Sequence, residues 1–219
     1  MKINVCCVKE GNKYDKDYVN ILYNMIEKNL SLDFNFYCFT ENPTGLNKNI
    51  IVKDLVDKTI KGWWNKCLLF KPGVLSGQCL YLDLDMIIIR PIDNLLLIND
   101  KLNIAKNVFF KWRYFKITNI NSSIMSWNTE RFDGHRIWDQ YLKEKNFYDN
   151  AFKTKIGYGD QEVIKKSGVK YNFFEDGKII YFKRLTNESK IAENVLIVVC
   201  KGEHQKNHKD HYLVKDYWK

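Results

Sequence analysis

One stretch, residues 79–93, limits what this chain can fold into more than any other segment. It is apolar except where Asp83 and Asp85 interrupt it and where Arg90 to Asp93 end it. In a β-strand, side chains two positions apart point to the same face, so the two carboxylates are expected at one spot. Buried carboxylates are costly without a partner, and hard divalent cations such as Mg²⁺ prefer oxygen ligands. The stretch therefore predicts a strand that ends at a cation site, with a solvated strand end as the alternative.

Two classes of enzyme place Asp-x-Asp at the end of a strand. Phosphatases of the haloacid dehalogenase type need Asp-x-Asp-Gly-Thr near the N-terminus. Here Met86 and Ile87 stand where Gly-Thr is required, and residues 1–82 precede the pair. Nucleotide-sugar glycosyltransferases carry the pair in mid-chain, after a nucleotide-binding half. The position of the pair favours this second class.

The composition fits one folded domain. The chain has 219 residues, of which 45% are hydrophobic and 15% aromatic, so it has room for one α/β domain with a full core. No apolar run approaches the ~20 residues of a membrane span, and residues 2–8 resemble a first strand more than a secretion signal. The six cysteines lie beside apolar residues without a Cys-x-x-Cys pair, which favours buried thiols in a cytoplasmic protein.

The formal net charge of +9 is typical of proteins that bind nucleic acid, an anionic membrane surface or phosphorylated substrates. A composition rich in Lys, Asn and Ile, as AT-rich genomes produce, explains the charge equally well. Residues 111–116, Lys-Trp-Arg-Tyr-Phe-Lys, favour base stacking with phosphate contacts, an acceptor loop or an exposed edge. Charge therefore keeps a nucleic-acid-binding module open as an alternative to an enzyme.

The first half of the chain has the pattern of a nucleotide-binding α/β unit. Apolar runs predict strands at residues 2–8, 34–39 and 50–55. Helical spacing of apolar residues over 18–30 predicts an amphipathic helix after the first strand. Ligands in such folds bind at the carboxyl ends of strands, which places Val8 and Thr40 at the nucleotide. The sequence contains no Gly-x-Gly-x-x-Gly and no Walker A motif, so a Rossmann dehydrogenase or a P-loop enzyme is disfavoured.

A short helix is predicted at residues 63–70, before the Pro72-Gly73 pair. Lys66 lies one turn into this helix among apolar neighbours, and the N–H groups of a helix start favour anions. We therefore expect a pyrophosphate near Lys66. Trp63 and Trp64 are explained equally well as core residues or as site residues.

The second half alternates short strands and helices. Small polar residues at 119–123 lead into an apolar strand, as expected where a chain passes close to a bound sugar. Asp160-Gln161-Glu162 opens a helix after two glycines, with Asp160 as an ordinary N-cap or as a site residue. Three of the four histidines fall within residues 201–211, where one of them could complete a metal site and Lys206 could neutralise a departing phosphate. A solvated basic tail is the alternative.

These segments together resemble small glycosyltransferases of the GT-A fold, most closely family 8 and its short bacterial and phage relatives. The likeness is strongest over residues 62–73 and 81–85. Asn121-Ser122-Ser123 resembles the sugar-site segment of the family, Asp160-Gln161-Glu162 its Asp-Gln-[Asp/Glu] motif, and Gly202 with Lys206 its closing motif. The family's metal-binding His before that Gly is replaced here by Cys200-Lys201. His204, His208 or a water molecule would take its place, and His204 is our prediction.

The resemblance implies an α/β protein with the GT-A fold, a single Rossmann-like domain over residues 1–219 with a mixed central sheet flanked by helices. Residues 1–85 would form the nucleotide-binding half and residues 86–219 the sugar and acceptor half. The implied activity is metal-dependent transfer of a hexosyl group from a nucleotide-sugar, most commonly UDP-linked, with retention of configuration. The acceptor stays open among a glycan, a lipid-linked glycan and a modified nucleic acid. The alternatives are a nucleotidyltransferase and a degenerate module that only binds nucleotide.

The resemblance also assigns roles to residues of this chain. Gln161, below the anomeric carbon, and Asp160 would be the catalytic residues. The cofactor, Mn²⁺ or Mg²⁺, would be bound by Asp83, Asp85 and His204. The donor contacts would be Val8, Thr40, Trp64, Lys66, Asp83, Asn121, Ser122 and Lys206.

Overall fold

The computed structural model describes residues 2–55, 57, 59–107, 119–154, 159–186, 188–200 and 209–219. The strands are β1 Ile3–Lys9, β2 Phe34–Thr40, β3 Ile50–Lys53, β4 Gln78–Leu82, β5 Met86–Ile88, β6 Leu102–Lys106, β7 Ile120–Asn128, β8 Tyr171–Phe173, β9 Ile179–Tyr181 and β10 Ile197–Val199. The α-helices are α1 Lys16–Asn29, α2 His135–Lys143, α3 Lys145–Thr154, α4 Asp160–Lys166 and α5 Tyr212–Tyr217. Segments of 3₁₀ helix cover Gly62–Phe70, Asp93–Leu95 and Phe182–Arg184.

A mixed central sheet organises the described part of the chain, with seven strands in the order β3-β2-β1-β4-β7-β6-β8. The first four of these strands run parallel, with Cys7 opposite Cys38 and Cys6 opposite Tyr81. The strand β7 then runs antiparallel to both β4 and β6. A second sheet in the order β5-β10-β9 lies beyond the end of β4. The predicted α/β architecture with a mixed sheet is confirmed.

The central sheet is covered on both faces, as parallel strands require. Since alternate residues of a strand face opposite sides, β1 sends Val5 and Cys7 into one apolar cluster and Cys6 into the other. The first cluster includes Leu22 and Ile26 of α1, together with the second sheet. The second cluster is rich in aromatic rings and includes Trp64, Trp127, Tyr141 and Tyr148. All six cysteines are buried thiols, as predicted from their apolar neighbours.

The stretch 79–93 differs from the prediction in one respect, because Asp83 and Asp85 do not lie in a strand. The strand β4 ends at Leu82, residues 83–85 turn, and β5 continues in the second sheet. The apolar run is divided because β5 pairs with β10, with Val198 opposite Ile87, while β4 pairs with β1 and β7. The two aspartates therefore lie in the turn that joins the sheets, and neither lies in a strand.

In the ranges described above, no helix is both long enough and apolar enough to cross a membrane.

Candidate functional site

A cavity of about 780 Å³ opens at the carboxyl ends of β1 and β4. This is the edge of a parallel sheet where ligands bind in open α/β folds. Four separate segments of the described chain form its walls. The lining residues include Val8, Glu10, Lys13 and Tyr14 from the loop after β1, Gly62, Trp63 and Lys66 from the 3₁₀ segment, Tyr81, Asp83, Leu84 and Asp85 from β4 and the turn, and Gly159, Asp160 and Gln161 at the start of α4.

The turn at residues 83–85 is held at both ends by main-chain hydrogen bonds. The N–H of Asp83 donates to the carbonyl oxygen of Ser123 in β7 at 2.8 Å. The N–H of Cys200, directly after β10, donates to the carbonyl oxygen of Asp85 at 3.0 Å. Because each aspartate is tied to a different sheet, the turn keeps both side chains at the cavity wall.

Lys66 bridges two of the carboxylates. Its Nζ lies 2.8 Å from Oδ1 of Asp83 and 3.8 Å from Oδ2 of Asp160. The Tyr81 hydroxyl donates to the same Asp83 oxygen, and the Lys66 Nζ lies 5.3 Å from the centre of the Tyr81 ring. The lysine thus ties the turn after β4 to the start of α4.

Burial and neighbouring charges shift the pKa values of Lys66 and Asp160 in opposite directions. Burial would lower the pKa of Lys66, but the negative charges of Asp160 and Asp83 outweigh it and raise that pKa above its usual value. Burial raises the pKa of Asp160, while the Lys66 charge and the nearby Ser122 hydroxyl lower it in part. The ammonium group therefore stays charged, and a buried carboxylate depends on it.

Asp85 has a different kind of partner. The hydroxyl of Tyr14 donates to its Oδ2 at 3.0 Å. Burial and the Asp85 charge raise the pKa of Tyr14 well above its usual value, so the phenol stays a neutral donor. The hydrogen bond itself therefore leaves the negative charge on Asp85.

The formal charges of the cavity suit a divalent cation. Glu10, Asp83, Asp85 and Asp160 carry carboxylates, whereas Lys13 and Lys66 carry ammonium groups, which leaves two negative charges on the lining residues. Carboxylates are hard oxygen donors, and Mg²⁺ is often bound by one or two of them together with substrate phosphates. Among the described residues, no group of three or more His, Cys, Asp or Glu side chains is placed to hold a metal ion. The lining residues thus fit a cation whose coordination is completed by substrate or water.

Six of the predicted site residues line this one cavity, namely Val8, Lys66, Asp83, Asp85, Asp160 and Gln161. The alternative that Asp160 is an N-cap is wrong, because Gly159 is the N-cap of α4 and Asp160 is a buried residue of its first turn. Asn121 and Ser122 lie on β7, where the Asn121 side-chain oxygen accepts the N–H of Ser123 at 2.9 Å. His204 and Lys206 lie outside the described residues, so the predictions for them remain predictions.

Two predicted donor contacts are corrected. Trp64 has no exposed surface, and its ring packs 4.8 Å from that of Tyr148 in the aromatic core. Its neighbour Trp63 is 40% exposed and lines the cavity in its place. Thr40 is 2% exposed, and its hydroxyl accepts the N–H of Asn42 at 3.1 Å, so it stabilises the turn after β2 and does not line the cavity.

Glu10 and Tyr14 line the cavity and were missed by the sequence reasoning, which had left Trp63 open as a core or a site residue. The Glu10 Oε2 accepts the N–H of Gly62 at 2.6 Å and joins the loop after β1 to the 3₁₀ segment. Trp63 and Lys66 lie three residues apart in that segment, and such residues lie on the same side of a 3₁₀ helix. The only signal for Glu10 and Tyr14 was their place in the loop after Val8. Their partners are 52 and 71 residues away, beyond the reach of any local pattern.

Comparison with known proteins gives no sequence match. No protein family model matches the chain, and no curated protein matches it either. Solved structures do match. The galactosyltransferase LgtC, in complex with donor and acceptor sugar analogues, superposes with a TM-score of 0.62 at 13% identity over 96% of this chain and 91% of LgtC. The fold is therefore the GT-A fold.

Two further solved structures superpose on the chain about equally well. An active-site mutant of LgtC has a TM-score of 0.63 at 12% identity, over 99% of this chain and 96% of that one. The glycosyltransferase GlyE from Streptococcus pneumoniae TIGR4 has a TM-score of 0.61 at 13% identity, over 89% of this chain and 54% of GlyE. The structural likeness establishes the GT-A fold. At identities this low it does not establish the activity, which has to be argued from the site.

Proposed function

We propose that this chain is a glycosyltransferase that moves a hexosyl group from a nucleotide-sugar, in the first instance a UDP-sugar, to an acceptor, with a divalent cation and with retention of configuration. One observation carries the proposal: a single cavity at the ligand-binding edge of a GT-A sheet collects Lys66, Asp83, Asp85, Asp160 and Gln161. The structures that share the fold are glycosyltransferases, and one of them was solved with donor and acceptor sugar analogues.

The donor diphosphate would lie against the Lys66 side of the cavity. A diphosphate alone is a poor ligand for lining residues that carry two formal negative charges. Asp83 and Asp85 would hold Mn²⁺ or Mg²⁺, and the bound cation would neutralise the diphosphate and act as a Lewis acid on the leaving group. The Lys66 ammonium would add positive charge at the same place, and charge stabilisation of this kind is often the largest catalytic term.

The sugar would lie toward the start of α4. Asp160 and Gln161 line the cavity there, next to the Lys66 bridge. In LgtC, the substitution of glutamate for a glutamine gives an active-site mutant. By analogy, we assign Gln161 to the space below the anomeric carbon. Its amide is a weak nucleophile, which suits a retaining reaction without an obligatory covalent intermediate. Asp160 would bind sugar hydroxyls.

The first test is a thermal-shift series with UDP, GDP, CDP and ADP, each measured with Mn²⁺ and with EDTA. A ligand that binds only the native state raises the melting temperature by mass action. We expect one nucleotide, UDP, to raise it, and expect EDTA or Asp85→Asn to remove the effect. The matched control is Asp176→Asn, which neutralises a carboxylate that is 84% exposed and does not line the cavity. An absence of any shift with all four nucleotides would refute the proposal.

The stereochemistry needs a separate measurement. Proton NMR of the sugar released from a UDP-hexose by slow hydrolysis reports the first anomer formed. Retention predicts the anomer of the donor. An inverted first product would leave a glycosyltransferase but remove the role proposed for Gln161.

A further inference from the structure

We propose that Tyr14 is a positioning residue for Asp85, and that its hydroxyl sets the affinity of the cavity for the divalent cation. The inference rests on the metal part of the proposed function. It concerns a residue that no sequence pattern singled out, in the loop between β1 and α1.

The contact joins two segments that are distant in sequence. The Tyr14 hydroxyl reaches across the cavity wall to Oδ2 of Asp85, 71 residues further along the chain, at 3.0 Å. Asp85 is only 9% exposed, so its carboxylate has little water to orient it. A directional donor on a nearly buried carboxylate influences where its oxygens point, and the Tyr14 hydroxyl is such a donor for Asp85.

Both ends of this hydrogen bond are anchored independently. The ring centre of Tyr14 lies 4.9 Å from that of Tyr18 on α1, and Tyr18 packs in turn 4.8 Å from Trp218 after α5. The main chain of Asp85 is held by the Cys200 N–H at 3.0 Å. The phenol is thus fixed by helices and the carboxylate by the second sheet, which pre-organises the pair before any ligand binds.

A phenol hydroxyl is well suited to orient a carboxylate that binds a cation. Asp83 is paired with an ammonium group, the Lys66 Nζ at 2.8 Å, which offsets its charge. The Tyr14 hydroxyl is a neutral donor, so it orients Asp85 without offsetting its charge. Hydrogen bonds that orient metal-binding carboxylates typically contribute about 10–100-fold to metal affinity.

The test is Mn²⁺ binding to the full chain without nucleotide, measured from the electron paramagnetic resonance signal of unbound Mn²⁺. We expect Tyr14→Phe, which keeps the ring and its contact with Tyr18, to weaken binding about tenfold. The control is Tyr23→Phe, which removes another phenol-to-carboxylate hydrogen bond, to Glu27 Oε1 at 2.8 Å, on α1 and outside the cavity. This control should bind Mn²⁺ like the wild type. If Tyr14→Phe does not fold, Tyr14→Leu is measured in its place.

The outcomes separate this inference from the proposed function. Unchanged or tighter Mn²⁺ binding by Tyr14→Phe, with normal binding by the wild type, would overturn the inference alone. Equal weakening by Tyr14→Phe and Tyr23→Phe would also overturn it, because a general loosening of α1 would then explain both. A wild-type chain that binds no Mn²⁺, even with UDP, would remove the metal from the proposed function and the inference with it.

Discussion

Lys66 is the residue on which the charge balance of the cavity depends most. It is 12% exposed and faces both Asp83 and Asp160. Removal of one partner from a buried ion pair leaves an uncompensated charge and typically costs about 3–5 kcal/mol. We therefore expect Lys66→Met to lower the free energy of unfolding by about 3 kcal/mol at neutral pH, near the lower end of that range because the site is not fully buried. Urea denaturation measures this value.

The same substitution has a pH dependence of known sign. The raised pKa of Lys66 means that its stabilisation is complete below the unfolded pKa and is lost as pH rises through the folded pKa. The raised pKa of Asp160 means that its buried charge costs stability above that pKa, and protonation at lower pH removes the cost. Lys66→Met should therefore recover part of its loss on acidification. Lys215→Met, in an exposed pair with Asp210 at 3.9 Å, should cost less than about 1 kcal/mol at either pH.

Trp63 and Trp64 show that local sequence does not decide which of two adjacent residues faces the cavity. The sequence places two tryptophans beside Lys66 and gives no reason to prefer one for the site. The structure puts Trp64 in the core against Tyr148 and leaves Trp63 40% exposed in the cavity. The choice depends on Tyr148, which is distant in sequence. No periodicity within a nine-residue 3₁₀ segment carries that information.

At the scale of elements, the backbone at Gly62 fixes how the 3₁₀ segment begins. Gly62 has φ +60° and donates its N–H to Glu10 at 2.6 Å. A left-handed conformation costs other L-residues roughly 1–2 kcal/mol, although Asn tolerates it better. We expect Gly62→Ala to destabilise the fold by about that amount and to weaken nucleotide binding, because Trp63 and Lys66 follow directly. Melting temperatures should place Gly62→Asn between Gly62→Ala and the wild type, and equal losses in both variants would contradict the backbone explanation.

The strands of the first half were the most predictable elements. Apolar runs at residues 2–8 and 34–39 anticipated β1 and β2 to within a residue at each end, because parallel strands buried on both faces are rich in apolar residues. The turn at Asp83 and Asp85 could not be predicted in the same way. An apolar run continues or divides according to its partners, and β5 leaves the central sheet to pair with β10, more than a hundred residues away. Asp83 and Asp85 were thus expected at one spot and do line one cavity, but from a turn and not from a strand, and the cation itself stays a prediction.

At the scale of the whole molecule, two opposite charge distributions coexist. The chain has a net charge of +9, yet the residues that line the cavity carry more carboxylates than ammonium groups. Among the described residues, the excess positive charge therefore lies outside the cavity. The net charge and the cavity make separate predictions. The nucleic-acid-binding alternative rests on the net charge and on residues 111–116, which lie outside the described residues.

The dependence on salt distinguishes DNA binding by the basic surface from nucleotide binding in the cavity. Contacts between exposed cations and phosphates release counterions, so binding of a short DNA duplex should fall by orders of magnitude between roughly 50 and 200 mM salt. Binding of UDP with Mn²⁺ in a partly buried cavity is screened much less, and its thermal shift should persist over the same range. Fluorescence anisotropy of labelled DNA and thermal shift, measured in the same buffers, provide the comparison. Salt-sensitive DNA binding that survives Asp85→Asn, with no nucleotide shift, would favour a nucleic-acid-binding module. A persistent nucleotide shift with salt-sensitive DNA binding would assign the basic surface to non-specific attraction.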